Sequence, residues 1–260
     1  HRLNRRQRQM CIRDSTMIKP FISACFCLLV LGCQSTDNQV EQSDFQLAET
    51  ALTNGHADNA LSIYKQKLEM TPDDPQLLFL AGSASNQAAR YDEALHYLKK
   101  GSVLKPSPQF DRELGRAHLA LGNVRLATES LRRAVEGNEK DEVALNSLGV
   151  SYSLQKSYEA ARDAFQQAIN IRPDSLEYRN NLALSWMLDG QPSQSIRILY
   201  PIYQRGEATT KLRLNLALSY ALQGEVDAAR TIAMGDLTKA ELENNLAYYQ
   251  HLAELGASAW

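Results

Sequence analysis

The chain has 260 residues, with 28 Lys and Arg against 30 Asp and Glu and a formal charge of −2. That balance carries no basic footprint for a nucleic-acid partner. The length is ample for a hydrophobic core.

Residues 1–16 hold five arginines and Asp14 ahead of a second methionine, Met17. The string RQRQMCIRDS resembles translated sequencing-adapter readthrough, so residues 1–16 are expected to be a non-native leader. From Met17 onward, Lys19 supplies one positive charge and Phe21 to Gly32 form an apolar run of 12 residues. A helix needs about 20 apolar residues to cross a bilayer. The run therefore fits a secretory signal peptide over residues 17–32 and not a span. It ends in Val30-Leu31-Gly32-Cys33, which resembles a bacterial lipobox. The resemblance implies that Cys33 is lipidated on sulfur and becomes the mature N-terminus. An ordinary signal peptide with a chance cysteine, or a buried strand, are the competing readings.

Gln34 stands where an aspartate commonly retains Gram-negative lipoproteins at the inner membrane, so it implies sorting to the outer membrane, on its periplasmic face. Residues 33–42 read as a lipid anchor and a short flexible tether. Of Cys11, Cys25, Cys27 and Cys33, only Cys33 survives such processing. No disulfide is then available in the oxidising envelope compartment, and stability has to come from packing. Removing Arg2, Arg5, Arg6, Arg8, Arg13, Lys19 and Asp14 with residues 1–32 leaves 22 basic and 29 acidic residues, a formal charge of −7.

A repeat begins at Glu41. In ALNSLGVSYSLQKSYEAARDAFQQAINIRP, the residues Leu148, Gly149, Tyr152, Ala161, Phe165, Ala168 and Pro173 fall at positions 7, 8, 11, 20, 24, 27 and 32 of a tetratricopeptide repeat. Position 8 recurs as Ala48, Gly82, Gly115, Gly149, Ala183 and Ala217, at spacings of 34, 33, 34, 34 and 34. Position 20 recurs as Ala60, Ala94, Ala127, Ala161, Ser195 and Ala229, with the same five spacings. Small residues are expected there because the two antiparallel helices of a pair come closest at those points. Larger residues at positions 7, 11 and 24 fill the space around them. Gly55, Gly122, Gly190 and Gly224 suit left-handed helix ends, and Pro72, Pro106 and Pro173 stop second helices. The missing residue is placed in a shortened loop at Pro106 to Phe110. After the sixth unit, Thr238 and Glu241 are spaced as a capping box, and Asn245-Leu246-Ala247 echoes Asn181-Leu182-Ala183 and Asn215-Leu216-Ala217. This predicts a thirteenth helix that covers the open end of the stack. The expected fold is all-α: a tetratricopeptide repeat solenoid of about six helix pairs over residues 43–256, with a C-terminal capping helix.

Chemistry has little to build on. His1, His56, His96, His118 and His251 have no His or Cys partner at metal-ligand spacing. His118 occupies position 11, normally a packing aromatic. No phosphate loop or nucleophile elbow is present, and Asp73-Asp74 read as loop caps. No enzyme activity, cofactor or metal is expected.

Binding is the positive expectation. Positions 2, 5, 6, 9 and 12 of the first helices face inward in this fold, and they include Arg112, Arg116, Asn146, Asn180, Asn181, Leu184, Met187, Asn215 and Leu218. The arginines, one turn apart, suit an acidic side chain or a carboxylate. Asparagine amides suit the backbone of an extended peptide or, equally, the bonding of neighbouring helices. Leu184, Met187, Leu214 and Leu218 suit an amphipathic segment, or packing beneath the terminal helix.

The C-terminal third, with YRNNLALSWMLDGQPSQSIRILYPI, LRLNLALSYALQGEVDAARTIAMGDL and ENNLAYYQHL, resembles the TadD family of tetratricopeptide lipoproteins of tight-adherence (Flp) pilus systems. The resemblance implies a non-enzymatic assembly factor, lipid-anchored at the outer membrane, that supports the pilus secretin or other pilus components. Competing readings are a type IV pilus pilotin, a repeat lipoprotein that docks cell-wall enzymes, and an enzyme's accessory domain.

Overall fold

A computed structural model describes residues 34–255, with side chains from residue 43 onward. The expected leader, the signal peptide and Cys33 lie outside the described residues. Thirteen helices and no strand occur among the described residues: α1 Gln34–Thr53, α2 Ala57–Met70, α3 Pro75–Gln87, α4 Tyr91–Leu104, α5 Pro108–Ala120, α6 Val124–Gly137, α7 Glu142–Leu154, α8 Tyr158–Ile171, α9 Leu176–Leu188, α10 Pro192–Gln204, α11 Thr210–Leu222, α12 Val226–Ala233 and α13 Lys239–Leu255.

The chain divides into two units, His1–Phe45 and Gln46–Trp260. Of the first, the described residues are the leading part of α1, and the stretch 34–42, expected as a tether, is helical there. Its sequence contains no Gly or Pro to stop a helix. In the second unit each first helix packs on its own second helix and on the second helix of the preceding pair, from α3 to α12. Successive first helices, α3, α5, α7, α9 and α11, also touch one another.

The small-residue columns are where paired helices meet. Ala48, Ala183 and Ala217 at position 8 and Ala60, Ala94, Ala127, Ala161 and Ala229 at position 20 are all fully buried. A Cβ on Gly82 would lie 2.5 Å from Leu98 Cγ, one on Gly115 2.5 Å from Leu131 Cγ, and one on Gly149 2.5 Å from Phe165 Cε1. Glycine at position 8 therefore makes room for the large position-24 residue of the same pair. Burying each such side chain stabilises by about 1.5–3 kcal/mol.

Local chemistry sets the helix ends. Asp74 caps α3 through Gln76 N at 2.7 Å and Leu77 N at 3.1 Å, Asp141 caps α7, Ser175 caps α9 and Thr209 caps α11. The second helices have no side-chain cap; each starts directly from the preceding turn. In that turn two backbone bonds close a Schellman motif, as Asn123 N to His118 O at 2.8 Å and Gly122 N to Leu119 O at 3.0 Å. Gly55, Gly122, Gly190 and Gly224 hold the left-handed position, but Ala89 and Lys156 hold it in the other two turns, both at φ +58°. A further motif at Gly206 ends α10, where Pro72, Pro106 and Pro173 follow α2, α4 and α8. Pro201 lies inside α10 without ending it. The loop before α5 is residues 105–107, one shorter than 71–74 or 138–141, so the missing residue lies where it was expected.

The C-terminal end closes as a half repeat. Thr238 N donates to Glu241 Oε2 at 2.9 Å and Glu241 N donates to Thr238 Oγ1 at 3.3 Å, a capping box. Leu242, Leu246 and Tyr249 of α13 join a core with Leu216, Ala217, Ala229 and Ile232. Ala247, at position 8 of this half repeat, is exposed, with no second helix packed on it among the described residues.

Position 11 carries the half-buried Tyr152, Trp186 and Tyr220, but His118 in α5. His118 is 7% exposed and its Nδ1 has no partner. Burial first, and then the Lys99 ammonium of α4, lower its pKa.

The packing sets three expected outcomes for stability. Gly149→Leu drives carbon into the Phe165 ring and is expected to cost about 3 kcal/mol, with Ala161→Leu at about 1–3 kcal/mol; denaturant melts that match the wild type would show that the columns do not carry the packing. Ala89→Gly is expected to add about 0.5–1 kcal/mol, since it relieves a left-handed alanine and gives back part as unfolded-state entropy; a lower melting temperature would overturn this. For His118, the folded state resists protonation more than the unfolded chain. Stability is therefore full above the unfolded pKa of about 6.5 and falls as pH drops below it towards the lower folded value. His118→Phe should remove that part of the acid sensitivity in melts at pH 8 and pH 5, and an unchanged pH dependence would assign it to other groups.

Candidate interaction groove

The residues expected on the inner face sit on consecutive first helices, and the structure joins them by side-chain hydrogen bonds. Between α3 and α5, Asn86 Nδ2 donates to Glu113 O at 2.9 Å and to Glu113 Oε2 at 3.0 Å. Arg112 Nη1 of α5 donates to Asp141 Oδ2 at 2.9 Å, reaching the residue that caps α7. Between α7 and α9, Asn181 Nδ2 donates to Asn146 Oδ1 at 3.0 Å, and Asn146 Nδ2 donates to Glu177 Oε1 at 3.2 Å. Between α9 and α11, Asn215 Nδ2 donates to Asn180 Oδ1 at 2.9 Å. The asparagines thus bond neighbouring helices, one of the two roles that their positions allowed.

Arg112 and Arg116 are not an open pair. Glu113 lies between them, 1% exposed, and accepts from Arg112 Nε at 3.0 Å and from Arg116 Nη1 at 3.1 and 3.0 Å. Burial by itself lowers the Arg112 pKa, but the charges and hydrogen bonds of Glu113 and Asp141 outweigh it, so the pKa is raised. A carboxylate this deeply buried is tolerable only because its partners are in place; removing one partner of a buried pair commonly costs about 3–5 kcal/mol. Glu113 was missed in the sequence, although it stands at position 6 and is three residues from Arg116.

The apolar half is open to a similar degree. Val150, Leu184 and Leu218, all at position 9 of successive repeats, are half-buried, as is Leu214. In the two preceding repeats the same position holds Ser83 and Arg116, so the row changes from polar to apolar at α7. Leu214 and Leu218 also pack against the core that α13 completes. Met187 does not belong to this face: it is 1% exposed, and Ser219 Oγ donates to its sulfur at 3.4 Å. Position 12 of α9 points into the contact with α11, which a single-helix projection does not distinguish from the inner face. Asn180 is 4% exposed and its Nδ2 has no partner, like Asn86 Oδ1.

Among the described residues no group of three His, Cys, Asp or Glu side chains could hold a metal ion. No described helix is long and apolar enough to cross a membrane.

Comparison with known proteins matches residues 45–102 and 112–176 to the tetratricopeptide repeat family. The chain is 27% identical over 206 residues to the CTR9 homolog of Arabidopsis thaliana, covering 75% of this chain and 18% of that protein. It is 27% identical over 129 residues to the BBSome complex member BBS4 of Mus musculus, covering 49% of this chain and 25% of that one. The chain therefore spans a quarter or less of these relatives. Among solved structures, TTC0263, a thermophilic repeat protein of Thermus thermophilus, superposes with a TM-score of 0.59 at 21% identity, over 69% of this chain and 98% of that one. MamA superposes with a TM-score of 0.52 at 23% identity, over 62% and 94%. At such identities the structural likeness speaks for the fold alone. Repeat stacks of this kind present extended faces to protein partners. With those repeats matched in its sequence and the same helix pairing carried on to α13, the chain folds as a tetratricopeptide repeat solenoid.

Proposed function

We propose that the chain is a non-enzymatic interaction scaffold of a tight-adherence (Flp) pilus system. In this reading residues 17–32 direct export and Cys33 carries the lipid that anchors the protein to the periplasmic face of the outer membrane. The repeat domain then supports the pilus secretin or a neighbouring assembly component. The observation that carries the binding role is the apolar row Val150, Leu184 and Leu218 on adjacent first helices. The pilus assignment rests on the resemblance of the C-terminal third to the TadD family, and the anchor on Gly32-Cys33 at the end of the apolar run.

Expression of the full chain in a Gram-negative host should incorporate labelled palmitate, and Cys33→Ala should abolish it; label that persists in the variant defeats the anchor. The full chain mixed with the cognate secretin should form a complex, weakened about tenfold or more by Leu184→Ser with Leu218→Ser and by less than about threefold by Arg116→Ala. Buried apolar anchors usually dominate an interface, whereas partly exposed charges contribute less. Absence of any complex sinks the secretin assignment. Equal binding by all variants places the interface on another face.

A further inference from the structure

We infer that the segment taken up by the first helices α7, α9 and α11 is an amphipathic helix of the partner, lying across them with its apolar face down, and not an extended chain. The inference rests on the binding role proposed above but not on the partner's being a secretin.

Three observations carry it. The first concerns hydrogen bonds. An extended backbone laid on this row buries N–H and C=O groups that need partners. The amides best placed to supply them already bond one another, Asn181 Nδ2 to Asn146 Oδ1 and Asn215 Nδ2 to Asn180 Oδ1, and the unpartnered Asn180 Nδ2 is buried beneath them. A helix brings its backbone already satisfied. The second is charge: positions 5, 6 and 9 of the three helices are Asn146, Ser147 and Val150, then Asn180, Asn181 and Leu184, then Leu214, Asn215 and Leu218, with no ionisable side chain, while the exposed Glu177 and Lys211 stand at position 2 of α9 and α11, beside the row. The arginines next to the row are neutralised by Glu113 and Asp141. A complementary surface is therefore apolar over the row, with the partner's charges at its edge, where Glu177 and Lys211 stand, or turned to solvent.

The third is spacing. Val150, Leu184 and Leu218 hold one position on successive first helices, and helices in side-chain contact lie about 8–10 Å apart. An extended chain presents side chains on one face about every 6.7 Å or 13.4 Å. A helix presents residues i and i+7 on one face about 10.5 Å apart, just beyond the upper end of that helix spacing, so that Val150, Leu184 and Leu218 can each meet one heptad position.

The test selects random peptides of about 20 residues, long enough for five helical turns, on the full chain. Selected peptides should gain helical circular dichroism on binding. A proline in the middle should weaken them about tenfold or more, and one in the first turn should not. The combined variant Val150→Ser, Leu184→Ser and Leu218→Ser, with its fold checked by circular dichroism, should lose them to a similar degree. Binders that tolerate a central proline, bind without helical signal or ignore the triple variant overturn the inference, as does a selection that returns no binder. If helical binders are selected while the cognate secretin fails to bind, the inference stands and the partner's identity falls.

Discussion

The fold depends on how closely two antiparallel helices can approach within each pair. At Gly82, Gly115 and Gly149 the space a Cβ would take is filled by Leu98, Leu131 and Phe165. A large apolar side chain of the second helix thus seats on the backbone of the first, where close packing makes even one methylene matter. Because each pair buries only part of its apolar surface, the next pair must cover the rest. Gly101 continues the pattern between pairs, where an added Cβ would meet Phe110 at 2.5 Å. Among the described residues stacking continues to α13, whose exposed face carries Asn244, His251 and Glu254 together with Tyr248 and Leu255.

A second layer of interactions runs across the stack. Asn86, Glu113, Arg112, Asp141, Asn146, Asn181, Asn180 and Asn215 join α3 through α11 by bonds between residues 27 to 35 apart in sequence. These bonds fix how one first helix sits against the next, which the within-pair columns leave undetermined. They also engage Asn181 Nδ2, Asn146 Oδ1, Asn215 Nδ2 and Asn180 Oδ1, groups that a bound peptide would otherwise meet. Polar residues of the inner face thus hold the scaffold, and recognition is left to the apolar side chains between them.

The turns show where the chain tolerates strain. The six Schellman turns within helix pairs have the same backbone bonds, yet two hold Ala89 and Lys156 at positive φ instead of glycine. The surrounding helix pairs dictate the turn, and packing outweighs a local cost of about 1 kcal/mol at each.

Repeat period, helix pairing, the shortened loop at 105–107, the capping box at Thr238 and Glu241, and the position-8 and position-20 contacts were all legible in the sequence. Each is a short-range property: small residues at fixed spacing, a cap and its partner three residues on, a proline after a helix. What only the tertiary structure decided concerns neighbours far apart in the chain. Whether Asn146 or Asn215 is open to a ligand depends on the residue opposite it on the next first helix. Glu113 is a buried counter-ion only because Asn86, Arg112 and Arg116 converge on it. Met187 shares an inward column in projection but is covered by α11. A periodic sequence fixes which face of a helix is turned inward; how much of that face remains uncovered is set by the angle and distance of the next helix, which no single repeat encodes.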